Sequence, residues 1–305
     1  MFSKKITCCY LYPITKYGYP PSADKTNLYL EEMSRLGFTS VELEGIREHH
    51  LMKVHEKRIE IKQKLDELNL ELPYFCAVLP GLSSLDEKER YENIKLFEKG
   101  CEIAAEFNSK GILDNAPIPP YKFPEDIPIV RHYEEESLQH AFFPKDFLWS
   151  KFWNRLIDTF RTLCEIAENY KLTYQLHPAV GVLSSTADGF LYFFDAVKKE
   201  NLRFNFDTAN LFTVKENLPL SLMKLKDHID YIHVSDNRGF KVEHLEIGKG
   251  KISWDKFFEV LDKINFKGNI GIDIGGDESN VENIDDAYIN AAKRIENNWL
   301  KLKDK

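Results

Sequence analysis

Short runs of alternating apolar and polar residues recur along the chain, separated by longer stretches with apolar residues every three or four positions. The first pattern predicts strands at 5–11, 39–44, 73–79, 110–114, 172–177, 203–207, 229–235 and 269–275. The second predicts helices at about 25–36, 55–69, 86–108, 146–170, 187–200, 218–227, 253–265 and 281–303. Strands that alternate with helices pair in parallel. Eight such units in 305 residues predict an α/β fold of the closed (β/α)8 TIM barrel type, a single domain over 1–305. An open doubly wound sheet would carry a glycine-rich turn after its first strand, and the segment after Leu11 has none. No Gly/Ser-rich or Pro-rich linker divides the chain. In the 146–170 helix, Phe152, Leu156, Phe160, Leu163 and Ile166 follow a helical period after Ser150 or Pro144. Ser253 is expected to cap a helix on which Trp254, Phe257, Phe258 and Leu261 share a face. The segment 115–145 is proline-rich, aromatic and non-periodic. It is expected to be a long loop after the fourth strand, forming a wall or lid over a site.

Alternation also sorts each strand into two faces. Val41 and Leu43 oppose Glu42 and Glu44, and Leu172, Tyr174 and Leu176 oppose Thr173, Gln175 and His177. Phe204 and Phe206 oppose Asn205 and Asp207, Ile232 and Val234 oppose His233 and Ser235, and Ile270, Ile272 and Ile274 oppose Gly271, Asp273 and Gly275. The oily faces suit packing under helices. The other face gathers Glu44, Gln175, His177, Asp207, His233 and Asp273 near the C-terminal strand ends, where barrel active sites open. Charges in a barrel interior need partners. Gln175, Asp207, His233 and Asp273 together suit a divalent cation, Mn²⁺, Mg²⁺ or Co²⁺ before Zn²⁺, because oxygen ligands outnumber nitrogen.

Lys and Arg number 41 against 49 Asp and Glu, a net charge of −8. That balance argues against a nucleic-acid partner. The cysteines, Cys8, Cys9, Cys76, Cys101 and Cys164, contain no CxxC pair, so they are read as reduced thiols rather than zinc or redox motifs. The N-terminus lacks the long apolar core of a signal peptide. No run of 18 apolar residues occurs, so no membrane span is expected. A cytoplasmic location follows as the expectation.

The segments GFTSVELEG, LTYQLHP, RFNFDTANL, YIHVSDNRG, HLEIGKGKISWDKFFEVL and FKGNIGID together resemble the xylose isomerase-like barrel superfamily. Its members include sugar isomerases and epimerases, inosose dehydratases and isomerases, and barrel-type apurinic endonucleases. The most specific part is the H-x-x-D step at His233–Asp236 followed by G-x-G-x-x-x-W at Gly248–Trp254. In the ketose epimerases of that group a Glu, an Asp, a His and a Glu from the ends of strands five to eight hold the metal. The resemblance maps these onto Gln175, Asp207, His233 and Asp273. The two glutamates also serve as paired acid and base, and Gln175 departs because an amide cannot take up a proton. Asp273 is one methylene shorter than the family's residue. Asn210 stands where a His commonly follows the sixth-strand Asp. His177 and His244 match frequent family positions that meet substrate hydroxyls or assist proton transfer. The endonuclease branch fits less well, since its strand-three histidine is missing here.

The leading expectation is a divalent-metal-dependent isomerase or epimerase, or a lyase, acting on a sugar, sugar phosphate or cyclitol by proton transfer next to a carbonyl. Asp273 is the expected base, with His177 or Glu44 as the second group. Arg238, His244, Asp236 and Asn210 are the expected substrate contacts. Arg238 is equally readable as a surface salt bridge. A carbohydrate-binding barrel or enzyme subunit without turnover, suggested by Gln175, is one alternative. A metal-assisted hydrolase or endonuclease is the other. The expected partner is a small carbohydrate, and a homodimer is compatible with the pattern.

Overall fold

The computed structural model describes residues 1–124, 133 and 135–300. The β-branched and aromatic runs form eight strands: β1 (Ile6–Cys8), β2 (Leu43–Ile46), β3 (Tyr74–Val78), β4 (Gly111–Asn115), β5 (Thr173–His177), β6 (Leu202–Asp207), β7 (Tyr231–Val234) and β8 (Asn269–Ile272). All are paired in parallel, in the order β1-β8-β7-β6-β5-β4-β3-β2. The ring closes where Cys8 donates its amide to the Ser40 carbonyl at 3.0 Å and accepts from the Glu42 amide at 2.9 Å. The fold is therefore the expected (β/α)8 barrel.

The helices are α1 (Leu11–Tyr17), α2 (Thr26–Arg35), α3 (Arg47–Glu67), α4 (Glu87–Glu106), α5 (Glu135–Gln139), α6 (Trp149–Asn169), α7 (Ala187–Val197), α8 (Thr208–Thr213), α9 (Leu218–Leu225), α10 (Trp254–Lys263) and α11 (Ile284–Ile295). Side chains cap several of them in the usual way: Asp86 accepts from the Glu89 amide, Thr186 from Gly189, and Asn217 from Leu220. Ser253 occupies the cap position of α10 but makes no side-chain capping bond, contrary to expectation. Leu148, not Ser150 or Pro144, stands at the start of α6. Three short helices, α1, α5 and α8, were not anticipated; each is seven residues or fewer, too short for a helical period to stand out. α3 begins eight residues before the expected 55, at Arg47. Nine of the 31 residues of the expected excursion at 115–145, namely 125–132 and 134, lie outside the described residues, as do 301–303 of the expected last helix.

The alternation divides the interior into two layers. Phe204, Phe206, Ile232, Val234, Ile270 and Ile272 are fully buried on the outward face, under the helices. Inside the ring a smaller cluster of Tyr74, Cys76, Leu113 and Tyr231 fills the barrel, with the Tyr74 and Tyr231 rings stacked at 4.1 Å. That plug gives the inward side chains above it a floor. Among the described residues no helix is long and apolar enough to cross a membrane.

Candidate metal and catalytic centre

Register decides which inward side chains meet. Asp207 lies level with His233 across β6 and β7, and His233 level with Gly271 across β7 and β8. Asp273 stands two residues further along than Gly271, just past the end of β8, and reaches the same space. Asp273 Oδ2 is 3.9 Å from His233 Nδ1 and 3.8 Å from His244 Nε2. Ligand atoms of His177, Asp207 and His233 lie within 4.8 Å of one another, as do those of Asp207, His244 and Asp273. All five residues are buried. Asp207 Oδ2 and His233 Nδ1 have no hydrogen-bond partner. Buried polar atoms are normally satisfied, so two such atoms facing a shared space suit a cation.

Each imidazole is oriented from behind. His233 Nε2 meets Glu42 Oε2 at 3.1 Å, which turns Nδ1 inward. His177 Nδ1 meets Asn205 Oδ1 at 2.7 Å, and the Asn205 amide is itself fixed by donating to the Tyr231 carbonyl. The His177 proton therefore sits on Nδ1, and Nε2 accepts from Asn210 Nδ2 at 3.3 Å. His244 Nδ1 meets Glu278 Oε1 at 3.3 Å. An acceptor behind each ring is the arrangement that holds metal-binding histidines in one tautomer. Burial raises the Asp207 carboxyl, His244 and His233 oppose that rise, and Asp273 adds to it. Burial works against a charge on His233, but Glu42, Asp273 and Asp207 outweigh it and push its pKa up to about 9. A bound cation would take the place of a proton on Nδ1.

Gln175 is not part of this centre. Its amide nitrogen donates to Thr173 Oγ1 at 2.9 Å and to Asp230 Oδ1 at 2.5 Å, at the foot of β7. It shares a face with His177 but sits a pleat lower, so the strand-five group at the centre is His177. Asp236 is not a substrate contact either. Its carboxylate accepts from the amides of Asn237, Gly248 and Ile252 and from Trp254 Nε1 at 2.9 Å. It is the knot that folds the 236–254 loop, which explains the G-x-G-x-x-x-W spacing. Arg238 is exposed and pairs with Glu243 at 2.8 Å, as the salt-bridge reading expects. Asn210 and His244 do reach the centre. Glu44 borders, with Tyr19, Glu42, Asn115, His177 and His233, a pocket beside it.

Sequence reasoning passed over Glu42 and Glu278. Glu42 was visible as an inward residue of TSVELE, but nothing marked it as the partner of His233. Cys9, Glu42 and His233 also lie within 4.8 Å of each other. Burial, with Glu42 and Asp273 nearby, pushes the Cys9 thiol well up.

The fold and this centre define a closed parallel barrel with a histidine- and carboxylate-lined C-terminal mouth. The chain belongs to the xylose isomerase-like TIM barrel family, whose sequence model matches residues 30–298. It is 30% identical over 135 residues to an uncharacterized protein of Methanocaldococcus jannaschii, covering 41% of this chain and 46% of that one. A second uncharacterized protein of that organism is 49% identical over 45 residues, 15% of this chain and 18% of its own length. The chain thus spans less than half the length of these curated relatives. Among solved structures, the Escherichia coli 3-keto-D-glucoside 4-epimerase superposes with a TM-score of 0.73 at 17% identity, covering 97% of this chain and all of that one. A Methylomonas D-allulose 3-epimerase gives 0.73 at 16% identity, covering 98% and 99%. At those identities the likeness establishes the fold.

Proposed function

We propose that the chain is a divalent-metal-dependent enzyme that isomerises or epimerises a small carbohydrate by moving a proton next to a carbonyl. The observation that carries this reading is the pair of buried atoms without partners, Asp207 Oδ2 and His233 Nδ1, facing Asp273 and His177. Asp207, His233 and Asp273 would hold the cation, with His244 completing the set. Imidazoles alongside carboxylates favour Mn²⁺, Co²⁺ or Zn²⁺ over Mg²⁺. A bound cation would supply Lewis-acid stabilisation to an oxygen that gains negative charge as the carbon–hydrogen bond ionises. Asp273 is the base on one side. His177, with its lone pair on Nε2, can take or return a proton on the other, which Gln175 could not. Glu44 and Asn115 border the pocket and are placed to orient hydroxyls. Structures named as sugar epimerases share the fold and support the substrate class.

The binding-only alternative drew its motive from Gln175, and that motive lapses with Gln175 in the lower barrel. The test is exchange in deuterated water. Protein purified without chelator and supplied with Mn²⁺ or Co²⁺ is incubated with a panel of ketoses and inososes. Deuterium is expected at the carbon next to the carbonyl of at least one of them. Asp273→Asn should slow that exchange by roughly 10²–10⁴-fold. Exchange that persists unchanged in Asp273→Asn removes Asp273 from the reaction, and a metal-loaded protein inert to the whole panel defeats the proposal.

A further inference from the structure

We infer that Glu42 is a positioning residue for the cation centre, fixing His233 from its far side, and that Tyr231 and Cys9 hold Glu42 in turn. This rests on the proposed centre and adds to it a residue that acts through His233. Glu42 is 1% exposed, and its Oε2 receives the Tyr231 hydroxyl at 2.8 Å and faces His233 Nε2 at 3.1 Å. The Tyr231 oxygen lies 3.5 Å from Cys9 Sγ. An ionised carboxylate only accepts, so both Tyr231 and His233 donate to it. The Tyr231 proton is thereby committed, and Cys9 is left as donor to the Tyr231 oxygen. The chain of donors runs one way, from Cys9 through Tyr231 to Glu42, and meets the His233 proton there. His233 keeps a proton on Nε2 and turns Nδ1, the atom 3.9 Å from Asp273, towards the centre.

The barrel makes room for this chain of bonds with a bare position. Gly271 faces His233 across β7 and β8. A methyl group there would stand 2.5 Å from both Cys9 Sγ and Tyr231 Oη, and 3.0 Å from His233 Cδ2. The stacked ring of Tyr74 holds Tyr231 from the other side. An anionic acceptor behind a metal-binding imidazole raises its basicity, and loss of such a partner typically weakens metal binding about 10–100-fold.

The experiment titrates Co²⁺ alone into the full chain, followed by visible absorption and calorimetry. Glu42→Gln keeps the size and loses the charge, and its Co²⁺ affinity should fall about 10–100-fold. Tyr231→Phe leaves Glu42 with one donor fewer and should cost a few-fold. Gly271→Ala, which alters no chemical group, should also weaken binding by displacing the chain of bonds. Nitrogen NMR of the Zn²⁺-loaded parent should find the His233 proton on Nε2. A merely structural role would lower Tm and leave Co²⁺ affinity alone. Folded Glu42→Gln binding Co²⁺ within two-fold of the parent overturns the inference, as does a His233 proton on Nδ1. If Glu42→Gln does not fold, Tyr231→Phe and the NMR measurement decide. A parent that binds neither cation defeats the proposed function and this inference together, whereas equal binding by parent and variants defeats the inference alone.

Discussion

Replacing Asp207 with Asn separates its two jobs. Oδ1 accepts from the Asn210 amide at 2.6 Å and caps α8, a bond that an amide oxygen preserves. Oδ2 is buried without a partner, and its charge is what a cation would meet. In chelated buffer, Asp207→Asn should therefore be no less stable than the parent, because a buried carboxylate oxygen without a partner is lost and the cap is kept. Supplied with Co²⁺ at 100 times its dissociation constant, the parent gains about 2.7 kcal/mol. Unfolding entropy is about 2.1 cal/mol/K per residue, so over 305 residues this raises Tm by about 4 °C. The variant should shift by less than about 1 °C at the same Co²⁺ concentration, because affinity falls when an anionic ligand is lost. The assay is differential scanning calorimetry of both proteins with and without Co²⁺. An undiminished shift in Asp207→Asn would place the cation elsewhere. A metal-free variant several degrees less stable than the parent would make Asp207 chiefly structural.

Gln175→Glu should set a second carboxylate against Asp230 in the lower barrel, costing about 3 kcal/mol in urea unfolding with no gain in Co²⁺ affinity; a tighter site would return Gln175 to the centre. Asp236→Ala removes the acceptor of the Asn237, Gly248, Ile252 and Trp254 donors and should destabilise by about 3–5 kcal/mol, read from the same unfolding curves. Unchanged stability with a raised KM would restore Asp236 as a substrate contact. Burial pushes the Asp114 carboxyl up to about 8, while the Leu79 and Asn115 amides partly offset it. A raised carboxyl contributes stability that is complete below the unfolded pKa near 4 and is lost as pH climbs towards 8. Asp114→Asn should thus match the parent near pH 4 and exceed it by up to roughly 5 kcal/mol above pH 8; a stability difference that stays flat with pH would contradict this.

Hydrophobic alternation sufficed for the barrel and for the inward faces, because an oily face buried under helices admits only one orientation of each strand. Asp207, His233 and Asp273 were legible on that ground. Depth was not. Gln175 and His177 share a face of β5, and a period of two cannot say which of them reaches the mouth. The answer lies in the pairing: Gln175 stands level with Arg203 across β5 and β6, two residues below Asn205 and four below Asp207. The sloping register of a closed barrel therefore carries the residue after Leu176, not the one before it, up to the Asp207 carboxylate. LTYQLHP holds both candidates, and matching a family's ligand by residue type favoured the amide because an amide is nearer to glutamate than an imidazole is.

The same limit explains why Asp236 and Glu42 changed places in importance. Asp236 follows a strand end, where barrel chemistry gathers, but a carboxylate there also serves to gather loop amides, and sequence does not tell an Asp that meets substrate from one that meets Gly248, Ile252 and Trp254. Glu42 lies on the opposite side of the ring from His233 in sequence, 191 residues away, and only closure of β1 onto β2 brings it behind that imidazole. The groups that would face the proposed cation are written locally, one per strand end. The groups that aim them are set by which strands face each other across the barrel, so the positioning shell becomes readable only once the ring is closed.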